Sequence, residues 1–100
     1  MPITSNAAEN GRQVTIQLKG RFDFNEHSHF REAYRSHPAD VKYVLDMSGA
    51  DYMDSSALGM LLLLREHAGG DKADITIAGC RPDLKKILTI ANFQKLFIIR

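Results

Sequence analysis

Long apolar runs are scarce in this chain. The longest unbroken one, Met60 to Leu64, is far short of the roughly 20 residues that a membrane span needs. Cysteine is nearly absent: the single Cys80 excludes an intrachain disulfide and suits a reducing compartment. Charge of one sign is thin as well. The net charge is +1 and no run of like charge reaches five residues, which argues against a basic nucleic-acid surface. The opening Met1-Pro2-Ile3-Thr4-Ser5-Asn6 lacks a basic region followed by an apolar core, so no signal peptide is expected. These absences point to a cytoplasmic protein with neither a membrane nor a nucleic acid among its partners.

Motifs for catalysis and nucleotide binding are missing too. No Gly-x-Ser-x-Gly elbow is present, and His27, His29, His37 and His67 have no evident route to a serine. No Gly-x4-Gly-Lys-Ser/Thr loop is present. His27 and His29 lie near Asp23 and Glu26, but two residues apart on a helix they point to different faces, which is poor for one metal. Surface histidines are the expectation, with no metal, cofactor or catalytic residue. Lys85, Lys86 and Lys95 read as a solvated face, and Cys80 as a small buried hydrophobe.

What is there is one ordinary domain. The chain has 100 residues, 44% hydrophobic and 25% charged, enough for a core that needs no staples. It carries no repeat, linker or low-complexity tract. Val14, Ile16 and Leu18 alternate with polar residues and predict a strand. The turn dipeptide Asn10-Gly11 pairs it with a weak strand before it. Asn25 is the expected N-cap of a helix to about Ser36, with Phe30, Ala33 and Tyr34 on its apolar stripe. Residues 41–47 predict a central strand, and Ser48-Gly49-Ala50-Asp51 a turn. A helix begins after Asp54, runs to about Ala68 and stops at Gly69-Gly70. It is so apolar that most of its circumference is expected to be covered. Residues 73–79 predict another strand, and Pro82 opens a helix with Leu84, Ile87, Leu88 and Ala91 inward. Phe97-Ile98-Ile99 is a terminal strand or a packed tail. Strands alternating with helices after a hairpin predict an α/β layer, a mixed, mostly parallel sheet of four to five strands with three main helices packed over it.

The chemistry-bearing stretch is Asp54-Ser55-Ser56, standing directly before the apolar helix. Asp54 or Ser55 is the expected N-cap. The first N–H groups of a helix lack internal partners and carry partial positive charge, so a phosphate on Ser55 or Ser56 would be favourably placed. The plainer alternative is that Asp54 and Ser55 are a capping pair and nothing more.

Tyr52-Met53-Asp54-Ser55-Ser56-Ala57-Leu58-Gly59 resembles the phosphorylation motif of STAS-domain anti-sigma factor antagonists, the small bacterial proteins of partner-switching systems. Gly20-Arg21-Phe22-Asp23 resembles the family's Gly-x-apolar-Asp landmark. Residues 81–88 and 93–97 resemble its last helix and tail, so that residues 1–100 read as a single STAS-like domain. The resemblance implies a protein that binds an anti-sigma factor or switch serine kinase when unphosphorylated. Serine phosphorylation then releases it, and a PP2C-type phosphatase restores it. Carried over, the phosphoacceptor is Ser55, with Ser56 as second choice. Asp23, Phe24, Asn25, Asp54, Ser56, Ala57 and Leu58 form the partner-binding surroundings. The docking face is expected over the start of the helix, the turn 48–54 and Asp23 to Asn25. The resemblance is nearest to a Gram-negative branch tied to motile-versus-biofilm decisions, with a flagellar anti-sigma factor or a response-regulator kinase/phosphatase as client. One departure is Ala57, where the family usually has glycine, and its methyl is expected near the docking face. The rival readings are a small hydrolase or nucleotide-cleaving domain using Asp23, Asp54 and Ser55, and a STAS adaptor with no phosphorylation.

Overall fold

The computed structural model describes residues 3–8 and 10–100. Met1 and Pro2, where no signal peptide is expected, and Glu9, just before the expected turn, lie outside the described residues. Five strands form one sheet in chain order: β1 (Ile3–Ala8), β2 (Gln13–Phe22), β3 (Lys42–Met53), β4 (Asp74–Ala78) and β5 (Ile98–Ile99). β1 runs antiparallel to β2, and the remaining neighbours are parallel. Helices α1 (His27–Arg35), α2 (Ser55–His67) and α3 (Pro82–Ile90) occupy the three parallel crossovers. The mixed, mostly parallel sheet and its three helices are as the sequence predicts, and the terminal strand forms.

Handedness decides where the helices lie. The parallel strands advance across the sheet in one direction, so right-handed crossovers put all three helices on the same face. Burial agrees with this. Val14, Ile16 and Leu18 of β2 and Tyr43, Leu45 and Met47 of β3 are buried, while the alternate Thr15, Gln17, Val44 and Asp46 are half-buried on the other face. The hairpin turns where the dipeptide says it should: Asn10 and Gly11 both take positive φ, 60° and 83°.

Three local expectations are corrected. The first concerns Ser48-Gly49-Ala50-Asp51, which is not a turn. β3 continues through it to Met53. The register with β2 slips between Gln17 and Lys19 and again between Gly20 and Arg21, each time giving β3 one extra residue. These bulges put Ser48-Gly49 and Asp51-Tyr52 outward as polar pairs between the buried Met47, Ala50 and Met53. Gly49 suits the first bulge, because a Cβ there would stand 2.9 Å from Lys19 Cγ and 3.3 Å from the Leu18 carbonyl oxygen. β4 pairs only as far as Asp46↔Ala78, so the second half of β3 and the end of β2 project as a two-stranded ribbon.

The second correction concerns the start of α1. Asp23, not Asn25, is the cap; its carboxylate accepts the Asn25 N–H at 3.0 Å and starts a 3-10 turn, Phe24–Glu26, that leads into the helix. The third concerns the cover over α2. Ala57, Met60, Leu61, Leu64 and Ala68 are buried, but Leu62 and Leu63 are 40% and 52% exposed. A run of leucines surrounds a helix completely, whereas the sheet covers only one side of it.

Candidate functional site

The β2–β3 ribbon ends in register, Phe22 beside Met53, with both side chains buried. The next residue on each strand is an aspartate in extended conformation that caps a helical turn. Asp23 and Asp54 are thereby brought to the same end of the sheet, beyond the carboxyl ends of parallel strands, where α/β folds bind ligands and partners.

Asp54 is the N-cap of α2. Its Oδ1 accepts the N–H of Ser56 at 3.1 Å and of Ala57 at 3.3 Å, and also the Ser56 hydroxyl. The Ser56 hydroxyl bond is the chief reason that the Asp54 carboxyl titrates below the ordinary carboxylate range; the backbone donors of Ala57 and Ser56 add to it. Ser55, the first helical residue, is exposed, and among the described residues its hydroxyl has no hydrogen-bond partner. The two serines therefore differ: Ser56 is half-buried and tied to Asp54, and Ser55 faces outward and is free. The first N–H groups of α2 are already taken by Asp54, so a phosphate on Ser55 would meet the helix dipole but also the Asp54 carboxylate. Its charge would project into solvent.

The other expected site residues divide. Asp23 accepts from Asn25 and lies 3.4 Å from Arg21 Nε. Phe24 is 67% exposed, and Asn25 is exposed beside it. Leu58 is half-buried against the core. Ala57 is fully buried, so its methyl packs inward and offers nothing to a partner, contrary to expectation. The outward residues of 48–54 come from a bulged strand and not a turn.

Residues not expected from the sequence complete the corner. The Arg21 guanidinium carbon stands 3.9 Å from the centroid of the Tyr52 ring, its partner across the β2–β3 register. Their pairing depends on register between distant strands and leaves no local signal. A trough runs along α2 beside the corner, a cavity of about 430 Å³ lined by Phe24, His27, Ser56, Gly59, Met60 and Leu63. His27 reaches it from α1 and stacks on Phe24 with ring centroids 5.4 Å apart, while the Ser56 hydroxyl turns to Asp54. His29 instead bonds Glu26 at 3.0 Å, so the two histidines diverge as their spacing requires. Cys80 is half-buried, its Sγ 3.7 Å from Met47 Sδ, and burial pushes its thiol pKa up. Among the described residues, no group of three or more His, Cys, Asp or Glu could hold a metal, and no helix is long and apolar enough to cross a membrane.

Chemically, the corner is a fixed acidic cap with one free hydroxyl and an exposed aromatic at its edge. The fold that builds it occurs in known proteins. The family model described as Mlab, STAS domain matches residues 5–99. A STAS-domain containing protein of Pseudomonas aeruginosa (strain UCBPP-PA14) is 53% identical over 100 residues, covering 99% of both chains. A candidate anti-sigma factor antagonist from Thermotoga maritima superposes with a TM-score of 0.81 at 12% identity, over 97% of this chain and 84% of the other. The anti-sigma factor antagonist SpoIIAA superposes in its unphosphorylated form (TM-score 0.71, 16% identity, 98% and 86% coverage). The phosphorylated form of this Bacillus protein also matches (TM-score 0.66, 14% identity, 98% and 90% coverage). At such identities these structures share the fold, while the family model and the Pseudomonas relative carry the assignment. With sheet order and sequence in agreement over almost its whole length, the chain belongs to the STAS-domain family.

Proposed function

We propose that this STAS domain is an anti-sigma factor antagonist, a binding module whose partner contact is gated by phosphorylation of Ser55. The unphosphorylated corner binds an anti-sigma factor or switch serine kinase; the phosphate ends the complex, and a PP2C-type phosphatase restores it. The observation that carries this reading is the difference between the two serines. Ser55 presents an exposed, unengaged hydroxyl at the first position of a helix whose inner face is buried, and Ser56 is held by Asp54. Ser56 is the second-choice acceptor. The similarity to SpoIIAA, a protein with both an unphosphorylated and a phosphorylated form, supports the same reading.

A phosphate adds about −1.5 to −2 charge beside Asp54. The domain tolerates it, because the charge points to water. A partner laid over Phe24, Asp54 and Ser55 does not, since an unpaired charge taken out of water costs several kcal/mol, which is about a 10²-fold loss of affinity or more. No rearrangement of the fold is needed. The client follows the motile-versus-biofilm branch that the sequence resembles.

The test is a pull-down in the source cell with wild type, Ser55→Ala and Ser55→Asp. The switch requires Ser55→Ala to keep a partner that Ser55→Asp loses. Equal behaviour of the two variants rejects gating and favours an adaptor without phosphorylation. Turnover of a substrate that depends on Ser55 favours an enzyme.

A further inference from the structure

The trough beside Ser56 continues along the seam between α1 and α2. Its far half, a cavity of about 440 Å³, is lined by His27, Arg31, Tyr34, Arg35, Leu63 and His67. The two halves share His27 and Leu63, so they form one surface. His27, Arg31 and Arg35 recur every four residues and line one wall as a stripe on α1. Ser56, Gly59, Leu63 and His67 recur every three or four residues and line the other as a stripe on α2. The end near Ser56 is apolar, with Phe24 67% and Leu63 52% exposed. The opposite end is cationic. Arg35 pairs with Glu32 at 3.4 Å, both side chains exposed, and Glu26 is engaged by His29. Arg31 has no ion-pair partner among the described residues.

A second observation comes from Gly59, in the middle of α2. Its backbone is helical, and a Cβ there would meet nothing within 4 Å. Glycine inside a helix is unfavourable relative to alanine, and nothing in this domain's packing requires it. A side chain there would project toward the trough, which glycine leaves open.

We infer that this trough seats an acidic amphipathic helix of the protein partner, which deepens the binding reading above and rests on it. Charge selects the occupant: the exposed cations call for carboxylates at the end near Arg31 and Arg35, and Phe24, Gly59 and Leu63 call for apolar anchors at the other. The walls select a helix. Both are helices, which offer an extended segment no sheet edge to join, so interdigitating side chains hold the occupant. α2 is 13 residues long, so the seat holds a helix of about three turns at 1.5 Å per residue. The seat runs directly into Ser56, next to the free Ser55 hydroxyl, so a phosphate there stands at the apolar end of the occupant.

The test titrates the ¹⁵N-labelled protein with a synthetic alanine-based helix of about three turns carrying leucine anchors and glutamates, and with the same peptide in which lysine replaces glutamate. The glutamate peptide is expected to shift the amides of Phe24, His27, Arg31, Gly59 and Leu63, and to bind about tenfold more tightly than the lysine peptide. The double variant Arg31→Glu/Arg35→Glu is expected to reverse that preference. Gly59→Leu is expected to lose binding while the protein stays folded. Equal affinity for the two peptides, shifts confined to the Thr15 and Val44 face of the sheet, no binding by either peptide, or self-association through the trough would each overturn the seat. Repeating the titration on Ser55→Asp separates the two ideas. Unchanged binding there removes the gate and leaves the seat. Absence of binding in the wild type removes the seat and leaves the pull-down result standing.

Discussion

The Asp23 corner and the Asp54 corner use the same cap. Each aspartate is extended (φ −130°, ψ −172° and φ −119°, ψ −175°), comes directly after a buried strand residue, and accepts the N–H two residues on. They differ in what else converges there. Asp54 gathers two N–H groups and the Ser56 hydroxyl, and leads straight into a helix of 13 residues with a buried face. Asp23 takes one N–H, shares its carboxylate with Arg21, and starts a three-residue 3-10 turn with no buried residue. The first corner holds the Ser56 hydroxyl in a fixed place; the second leaves Phe24 exposed. One cap geometry thus stands over a long buried helix at one corner and over a short surface turn at the other.

Breaking the frame under the stronger corner has the largest expected effect. Leu61 is fully buried on the inner face of α2, so Leu61→Ala is expected to remove about 2–5 kcal/mol in urea unfolding. Phe24→Ala, at 67% exposure, is expected to stay within about 0.5 kcal/mol of wild type while weakening partner capture. A Phe24 variant as unstable as the Leu61 variant would mean that the Asp23 corner is also structural.

Next is the placement of charge. Ser55→Asp is expected to lower partner affinity by about 10²-fold or more. Asn25→Asp, two residues past the other cap, is expected to do less, because its side chain is exposed beside a turn with no buried anchor. Equal losses would show that net charge alone matters and that the site on α2 has no privilege. A smaller effect separates the caps themselves. Asp54→Ala removes three hydrogen bonds, whereas Asp23→Ala removes the Asn25 bond and a long, exposed contact to Arg21. The melting temperature is therefore expected to fall further for Asp54→Ala. The reverse order would contradict the comparison.

How much of this was legible in the sequence depends on the range of each interaction. Asn10-Gly11, Pro82 and the stripe Phe30, Ala33, Tyr34 are local signals, and the hairpin and helices they predict are present. The bulges of β3 were not legible, because Ser48-Gly49 and Asp51-Tyr52 have the polar composition of a turn and only pairing with β2 shows that the strand continues. The cap at Asp23 was missed because Asn25 is an equally good cap by type. In α2, an unbroken leucine run carries no phase, so the exposure of Leu62 and Leu63 comes from the helices lying on one face. At the candidate site, Asp54 and the serines were legible, whereas the difference between Ser55 and Ser56 arises from one hydrogen bond. The trough was hidden because its two walls come from different helices.

The smallest expected effect is on pH dependence at the Asp54 corner. The Asp54 carboxyl titrates below its ordinary value, chiefly through the Ser56 hydroxyl. A carboxyl lowered on folding contributes stability that is present above its unfolded pKa, about 4, and is lost as pH falls through the folded value. Ser56→Ala removes the largest cause. It is expected to flatten the decline in unfolding free energy below about pH 4. An unchanged slope in Ser56→Ala would break the assigned cause.

In the proposed function Ser55, and not its neighbour, carries the switch. Phosphopeptide mapping of the protein recovered from its source cells, with and without phosphatase treatment, tests it most directly. One phosphate on Ser55, removed by the phosphatase, is the expected result; a phosphate on Ser56 or elsewhere, or none under any growth condition, would contradict it.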